Sequence, residues 1–110
     1  TERRAAERAL AEREAQFRRA VTAAAVPVML HADDGEVLAV SDGFVGTTGY
    51  TRDQIRRIDD WLRLAYPDDS ADVAALVEEG FRTEQPINGL VREIRTASGE
   101  RRTWEFSGGR

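Results

Sequence analysis

The stretch SDGFVGTTGYTRDQI, Ser41 to Ile55, reads as two short helical turns set between capping residues. Ser41 or Asp42 has a side-chain oxygen suited to accept from the free N–H groups that open a helix. Phe44 and Thr47 follow at helical spacing, and Gly49 supplies a residue that adopts the left-handed conformation ending many helices. Thr51, with Asp53 and Gln54 behind it, starts a second turn that reaches Ile55. These helices are expected to cover one face of a sheet built from the flanking segments.

Upstream, Val26–His31 and Val37–Val40 are short apolar runs separated by the turn signal Asp33-Asp34-Gly35, which predicts a β-hairpin. Downstream, Asp59 or Asp60 is expected to cap a turn carrying Trp61, Leu62 and Leu64 that stops at Pro67. A longer helix begins at Asp69 or Ser70 and runs to about Thr83, with Val73, Leu76, Val77 and Phe81 at helical spacing. Pro86 breaks the chain. Leu90–Thr96 and Arg101–Ser107, joined by Ala97-Ser98-Gly99-Glu100, then read as a second hairpin. Trp104 and Phe106 share one face of its last strand, and Thr103, Glu105 and Ser107 the other.

Ahead of both hairpins, Thr1 to about Ala25 reads as one helix of Ala, Arg, Glu and Gln, uninterrupted by Gly or Pro. Arg3–Glu7, Arg8–Glu12 and Glu14–Arg18 are oppositely charged pairs at helical spacing. Ala6, Leu10, Phe17, Ala20 and Ala24 recur at alternating threes and fours, with Arg13 interrupting them. That stripe fits either a surface helix packed on its own domain or a parallel coiled coil joining two subunits. The chain therefore divides into a linker helix, 1–25, and an α+β domain, 26–110.

The composition removes several functions. There is no cysteine, so disulfide scaffolds, thiolate zinc sites, thiolate nucleophiles and cysteinyl photoadducts are excluded. No run of 18 apolar residues is present to suggest a membrane span in this segment. The net charge is −4 and all 16 basic residues are Arg. They are interspersed with Asp and Glu instead of gathered on one face, so nucleic acid is not an expected partner.

Three stretches in order resemble the PAS (sensory box) family of bacterial signalling domains, over about Phe17 to the C-terminus. They are Pro27–His31 with Asp34–Leu38, then Ser41-Asp42-Gly43-Phe44 with Thr48-Gly49-Tyr50-Thr51-Arg52-Asp53-Gln54-Ile55, then Trp61-Leu62-Arg63-Leu64-Ala65-Tyr66-Pro67-Asp68-Asp69. The last is similar to a subset found ahead of diguanylate cyclases and histidine kinases. The resemblance implies a cytoplasmic input and dimerisation module that acts through an attached output domain, with no catalysis of its own. It also implies a five-stranded antiparallel sheet in the order 2-1-5-4-3, roofed on one face by helices. This chain supplies four strands, so the central one is expected from a longer parent protein or a neighbouring chain. Two departures stand out. Ser41 replaces the family's usual Asn, and the longest helix lacks the His that haem-binding relatives use.

Phe44, Tyr50, Trp61, Leu76, Val77, Ile94 and Trp104 are expected to converge between sheet and helices. They form either an ordinary packed core or a core with a small cavity for an apolar or aromatic ligand of unknown identity. The candidate lining is Met29, His31, Ser41, Phe44, Thr47, Trp61, Ile94 and Trp104, with Ser41, Thr47 or His31 orienting the ligand. No cofactor or metal is expected. Trp61 and Trp104 motivate a competing reading as stacking partners for non-covalent flavin. A small standalone enzyme rests only on His31, the sole histidine, and on the acidic pairs. Asp68 and Asp69 are read as helix caps, and Gly43, Gly46 and Gly49 as turn and cap positions.

Overall fold

The computed structural model describes residues 1–109. Thr1 caps α1 (Glu2–Ala23), its hydroxyl oxygen accepting from the Arg4 N–H at 3.4 Å. None of the residues of α1 is buried, and the helix meets the rest of the chain at β2 and α2. The projecting helix stretches the molecule to 54 × 31 × 22 Å. Of the three expected ion pairs along it, Arg3–Glu7 closes, at 3.2 Å, and the other two stay open. An exposed pair of this kind contributes only about 0.3–0.5 kcal/mol.

β1 (Met29–His31) and β2 (Val37–Val40) form the first hairpin, turning at Gly35 with a φ of 92°. Ser41 follows at the cap of α2 (Asp42–Thr48) and is completely buried. Its hydroxyl oxygen accepts from the N–H groups of Phe44 at 3.0 Å and Val28 at 2.9 Å, and its proton goes to the Val26 carbonyl at 2.7 Å. One side chain thus caps a helix and fixes the segment between α1 and β1. Gly49 ends α2 with a φ of 79°. Gly43 is neither turn nor cap: a Cβ there would run into the backbone of Ala25 and Val26, so only glycine lets α2 lie this close.

A 3-10 turn (Arg52–Gln54) leads to α3 (Ile58–Ala65) and α4 (Ser70–Thr83). The turn at Thr51 starts as expected, and the two caps after it differ in detail. The Gln54 side chain accepts from the Thr51 N–H at 2.9 Å. α3 begins at Ile58, ahead of Asp59 and Asp60, and the Asp60 carboxylate reaches back to the N–H groups of Arg56 and Arg57 at 3.1 and 3.0 Å. Burial works to raise the Asp60 pKa, but those two N–H groups and the Arg63 guanidinium outweigh it and hold it below the usual value. Asp69 stands at the cap of α4 without a side-chain capping bond; its main-chain carbonyl accepts from Asp72 and Val73 instead.

β3 (Ile87–Arg95) and β4 (Arg101–Gly108) make the second hairpin. β3 begins three residues before the expected Leu90, because a bulge at Gly89, with a φ of 66°, carries pairing past an irregular step. The two hairpins form separate two-stranded sheets. Val40, Phe44, Tyr50, Ile55, Ile58, Trp61, Leu62, Ala65, Tyr66, Val73 and Ile94 form the core joining them to the helices. Leu76 does not join it and is 39% exposed, since α4 turns only its Val73 and Val77 side inward.

Tyr50 ties the second hairpin to the helical layer. Its hydroxyl lies 2.7 Å from the Arg95 carbonyl and 3.1 Å from that of Leu64. Burial pushes its pKa above the ordinary 10, with Arg95 pulling weakly the other way. The folded state therefore favours the neutral phenol, a stabilisation fully present below pH 10 and lost as pH climbs through the raised value.

Three substitutions test this local wiring by urea unfolding. Gly43→Ala is expected to destabilise by about 2 kcal/mol or more, through the backbone clash. Ser41→Ala is expected to cost about 2–3 kcal/mol, because it orphans buried groups. Tyr50→Phe should cost about 1–2 kcal/mol at neutral pH and flatten the loss of stability above pH 10. A Ser41→Ala protein as stable as the parent would contradict the account of that hydroxyl.

Candidate functional site

Hydrogen-bond parity shows which strand edges are satisfied. In the first hairpin Ser41 N–H bonds the Val28 carbonyl and Ala32 N–H bonds that of Glu36. Val28, Leu30 and Ala32 therefore point their pairing groups at β2, and alternation turns those of Met29 and His31 the other way. In the second hairpin Thr96 N–H bonds the Glu100 carbonyl. Counting back along the register, Arg102, Trp104 and Phe106 face β3, while Thr103, Glu105 and Ser107 turn their backbone groups outward.

The edges on the far sides are partly tied down. Val37 N–H bonds the Arg56 carbonyl at 2.9 Å, and Glu36 and Arg57 form an isolated bridge beside β2. Beside β3, Ala97 N–H bonds the Thr48 carbonyl at 2.8 Å, and Tyr50 holds Arg95. The helical connection thus holds the outer edge of β2 at its start and that of β3 at its end, and the near edges of β1 and β4 remain open.

Those open edges border a cleft of about 630 Å³. Met29 and His31 stand on one wall, and Thr103 to Gly108 on the other. Its floor is apolar: Phe44, Trp61, Leu62, Val73, Val77, Trp104 and Phe106, joined by Tyr66. The aromatic rings pack on one another. Trp61 has Phe44 at 4.8 Å, Trp104 at 6.0 Å, Tyr66 at 6.0 Å and Tyr50 at 6.2 Å between centroids. His31 sits at the rim with its ring edge against Phe81, 5.3 Å between centroids, and its Nδ1 3.1 Å from the Ala32 carbonyl.

Of the eight lining candidates, Met29, His31, Phe44, Trp61 and Trp104 border this cleft, and Ser41, Thr47 and Ile94 do not. Ser41 has committed its hydroxyl to three backbone groups, so it has nothing left to orient a ligand. Thr47 is half-buried on α2 away from the cleft. Its neighbour Thr48 is the wired residue, donating to the Phe44 carbonyl at 2.8 Å. Ile94 is 1% exposed and sealed in the core. Trp61 and Trp104 lie closer together than the about 7 Å that a ring sandwiched between two others needs, so no flavin fits between them. Tyr66 was visible in the sequence only as part of Ala65-Tyr66-Pro67, with no signal that it would line a cleft.

The linker-helix stripe is also distributed. Leu10 and Phe17 are 58% and 57% exposed, flanked by exposed Ala6 and Ala20. Ala24 lies past the helix end, and its carbonyl accepts from the Gly43 N–H at 3.0 Å. Phe17 borders a shallow depression of about 320 Å³ with Arg13, Glu14, Arg18 and Leu30. Among the described residues no group of three acidic, His or Cys side chains is placed to hold a metal, and no helix is long and apolar enough to cross a membrane.

Neither a scan against models of known protein families nor a search of curated proteins returns a match to this chain.

The outward-turned amides of β1 and β4 have a direct readout in hydrogen exchange. The amides of Met29, His31, Thr103, Glu105 and Ser107 should exchange quickly, while those of Leu30, Ile94 and Trp104 are protected. Protection of the first set equal to the second would mean that the inner edges are already paired.

Proposed function

We propose that the chain is a signal-input and self-association module of the PAS type, with its input received in the cleft between the hairpins. The observation that carries this reading is the cleft itself, floored by packed aromatic rings and walled by two open strand edges. The placement of the quoted motifs supports it. Residues 41–55 form α2 and the 3-10 turn, and Trp61 to Asp69 span α3 and the cap of α4. An extended segment laid along the mouth would pair with both open edges and join the hairpins into one five-stranded sheet, enclosing the pocket behind it.

The self-association half rests on α1. Leu10 and Phe17 are large apolar side chains left in water on a helix with no buried residue. A second copy of the same helix, side by side, covers both in the manner of a short coiled coil. The flanking helices then carry the state of the module to an attached output domain, for which a histidine kinase or a diguanylate cyclase is the proposed class.

Two measurements test the two halves. Sedimentation equilibrium is expected to show a dimer that Leu10→Glu with Phe17→Glu converts to monomer, with little change in the melting of the α+β part. A thermal-shift panel of small apolar and aromatic compounds should raise the Tm with at least one of them. At about 100 times Kd, binding adds about 2.7 kcal/mol of stability. A wild-type chain that stays monomeric at high concentration, and that no compound stabilises, would remove the reading.

A further inference from the structure

Tyr66 is 3% exposed, and among the described residues no protein group hydrogen-bonds its hydroxyl. Among the described residues no fully buried side-chain polar atom lacks a partner, so this oxygen keeps a sliver of accessible surface, and Tyr66 lines the cleft. Burial, helped by the Asp69 carboxylate and opposed by Arg92, pushes the phenol well up, so the hydroxyl is protonated at neutral pH. It is thus a protonated donor on a residue that lines an apolar cleft. No Arg lines that cleft, and its one carboxylate, Glu105, stands on the β4 wall. An anionic ligand would lose its hydration there with no Arg in the lining to replace it.

We propose that the cleft takes an uncharged, flat aromatic molecule bearing one hydrogen-bond acceptor, and that Tyr66 donates to that acceptor. This rests on the reading of the cleft as a ligand pocket. The rings of Phe44, Trp61 and Trp104 supply the apolar contact, and the hydroxyl supplies orientation.

Quinoline and naphthalene share shape and size, and only quinoline carries an acceptor, its ring nitrogen. Titrations followed through the indole N–H signals of Trp61 and Trp104 are expected to give about fivefold tighter binding of quinoline to the wild-type chain, the gain of one hydrogen bond. Tyr66→Phe should erase that preference, leave the naphthalene affinity unchanged and not lower the Tm, because the hydroxyl has no internal partner to lose. Three results would overturn the assignment of Tyr66 while leaving the pocket in place: equal binding of both probes to wild type, a preference that survives in Tyr66→Phe, or marked destabilisation by that substitution. If neither probe moves the indole signals, the assignment falls together with the ligand half of the proposed function.

Discussion

Trp61 touches Phe44, Tyr50, Tyr66 and Trp104, and through them it holds together two hairpins that share no backbone ladder. In a single continuous sheet, hydrogen bonds between neighbouring strands would fix the relative position of all four. Here ring packing in the core does that work, with Tyr50 and Thr48 adding hydrogen bonds at the far edge of β3. Aromatic pairs contribute about 0.5–1.5 kcal/mol each beyond their buried area, and they tolerate small slides better than a ladder does. A junction of this kind keeps the hairpins in place through side chains alone along their facing edges.

The same arrangement explains where the molecule is sealed and where it is open. Backbone N–H and C=O groups need partners or water. The connection from α2 to α3 supplies partners along the far side of each hairpin, through Arg56, Arg57, Thr48 and Tyr50. The facing edges of β1 and β4 share no ladder. Since Met29, His31, Thr103, Glu105 and Ser107 are the residues turned toward each other, the cleft has a polar mouth and an aromatic floor. An extended peptide matches the first and a flat apolar molecule the second.

Local chemistry was the legible part of the sequence. Ser41, Gly49 and the Asp33-Asp34-Gly35 turn act through neighbours within a few residues, so their roles follow from residue type and spacing, and the α+β order followed with them. What depends on chain segments meeting in space was hidden. Gly43 looked like one more turn glycine until Ala25 proved to lie against it. Ser41 was read as cap and ligand contact together, and two distant backbone groups at Val26 and Val28 claim the rest of its hydroxyl. Leu76 had the right period but the wrong phase. Asp69 had the right position, yet its carbonyl and not its carboxylate meets the helix N–H groups. Tyr66 carried no sign of its environment, because an unpaired hydroxyl is a property of the surroundings and not of the residue.

These hidden contacts lie on one line from the cleft to α1. Phe44 borders the cleft, and its N–H is held by Ser41. Ser41 also holds Val26 and Val28, the segment by which α1 enters the domain, and Gly43, the residue before Phe44 in α2, bonds the carbonyl of Ala24 at the helix end. Whatever displaces the Phe44 ring therefore acts on a short helix whose first turn is bonded to the exit of the linker helix. A bound molecule moves that exit only to the extent that it favours one packing of Phe44 over another. The size of any effect on α1 is then limited by the contacts a ligand gains at Phe44, and not by how tightly it binds elsewhere in the cleft.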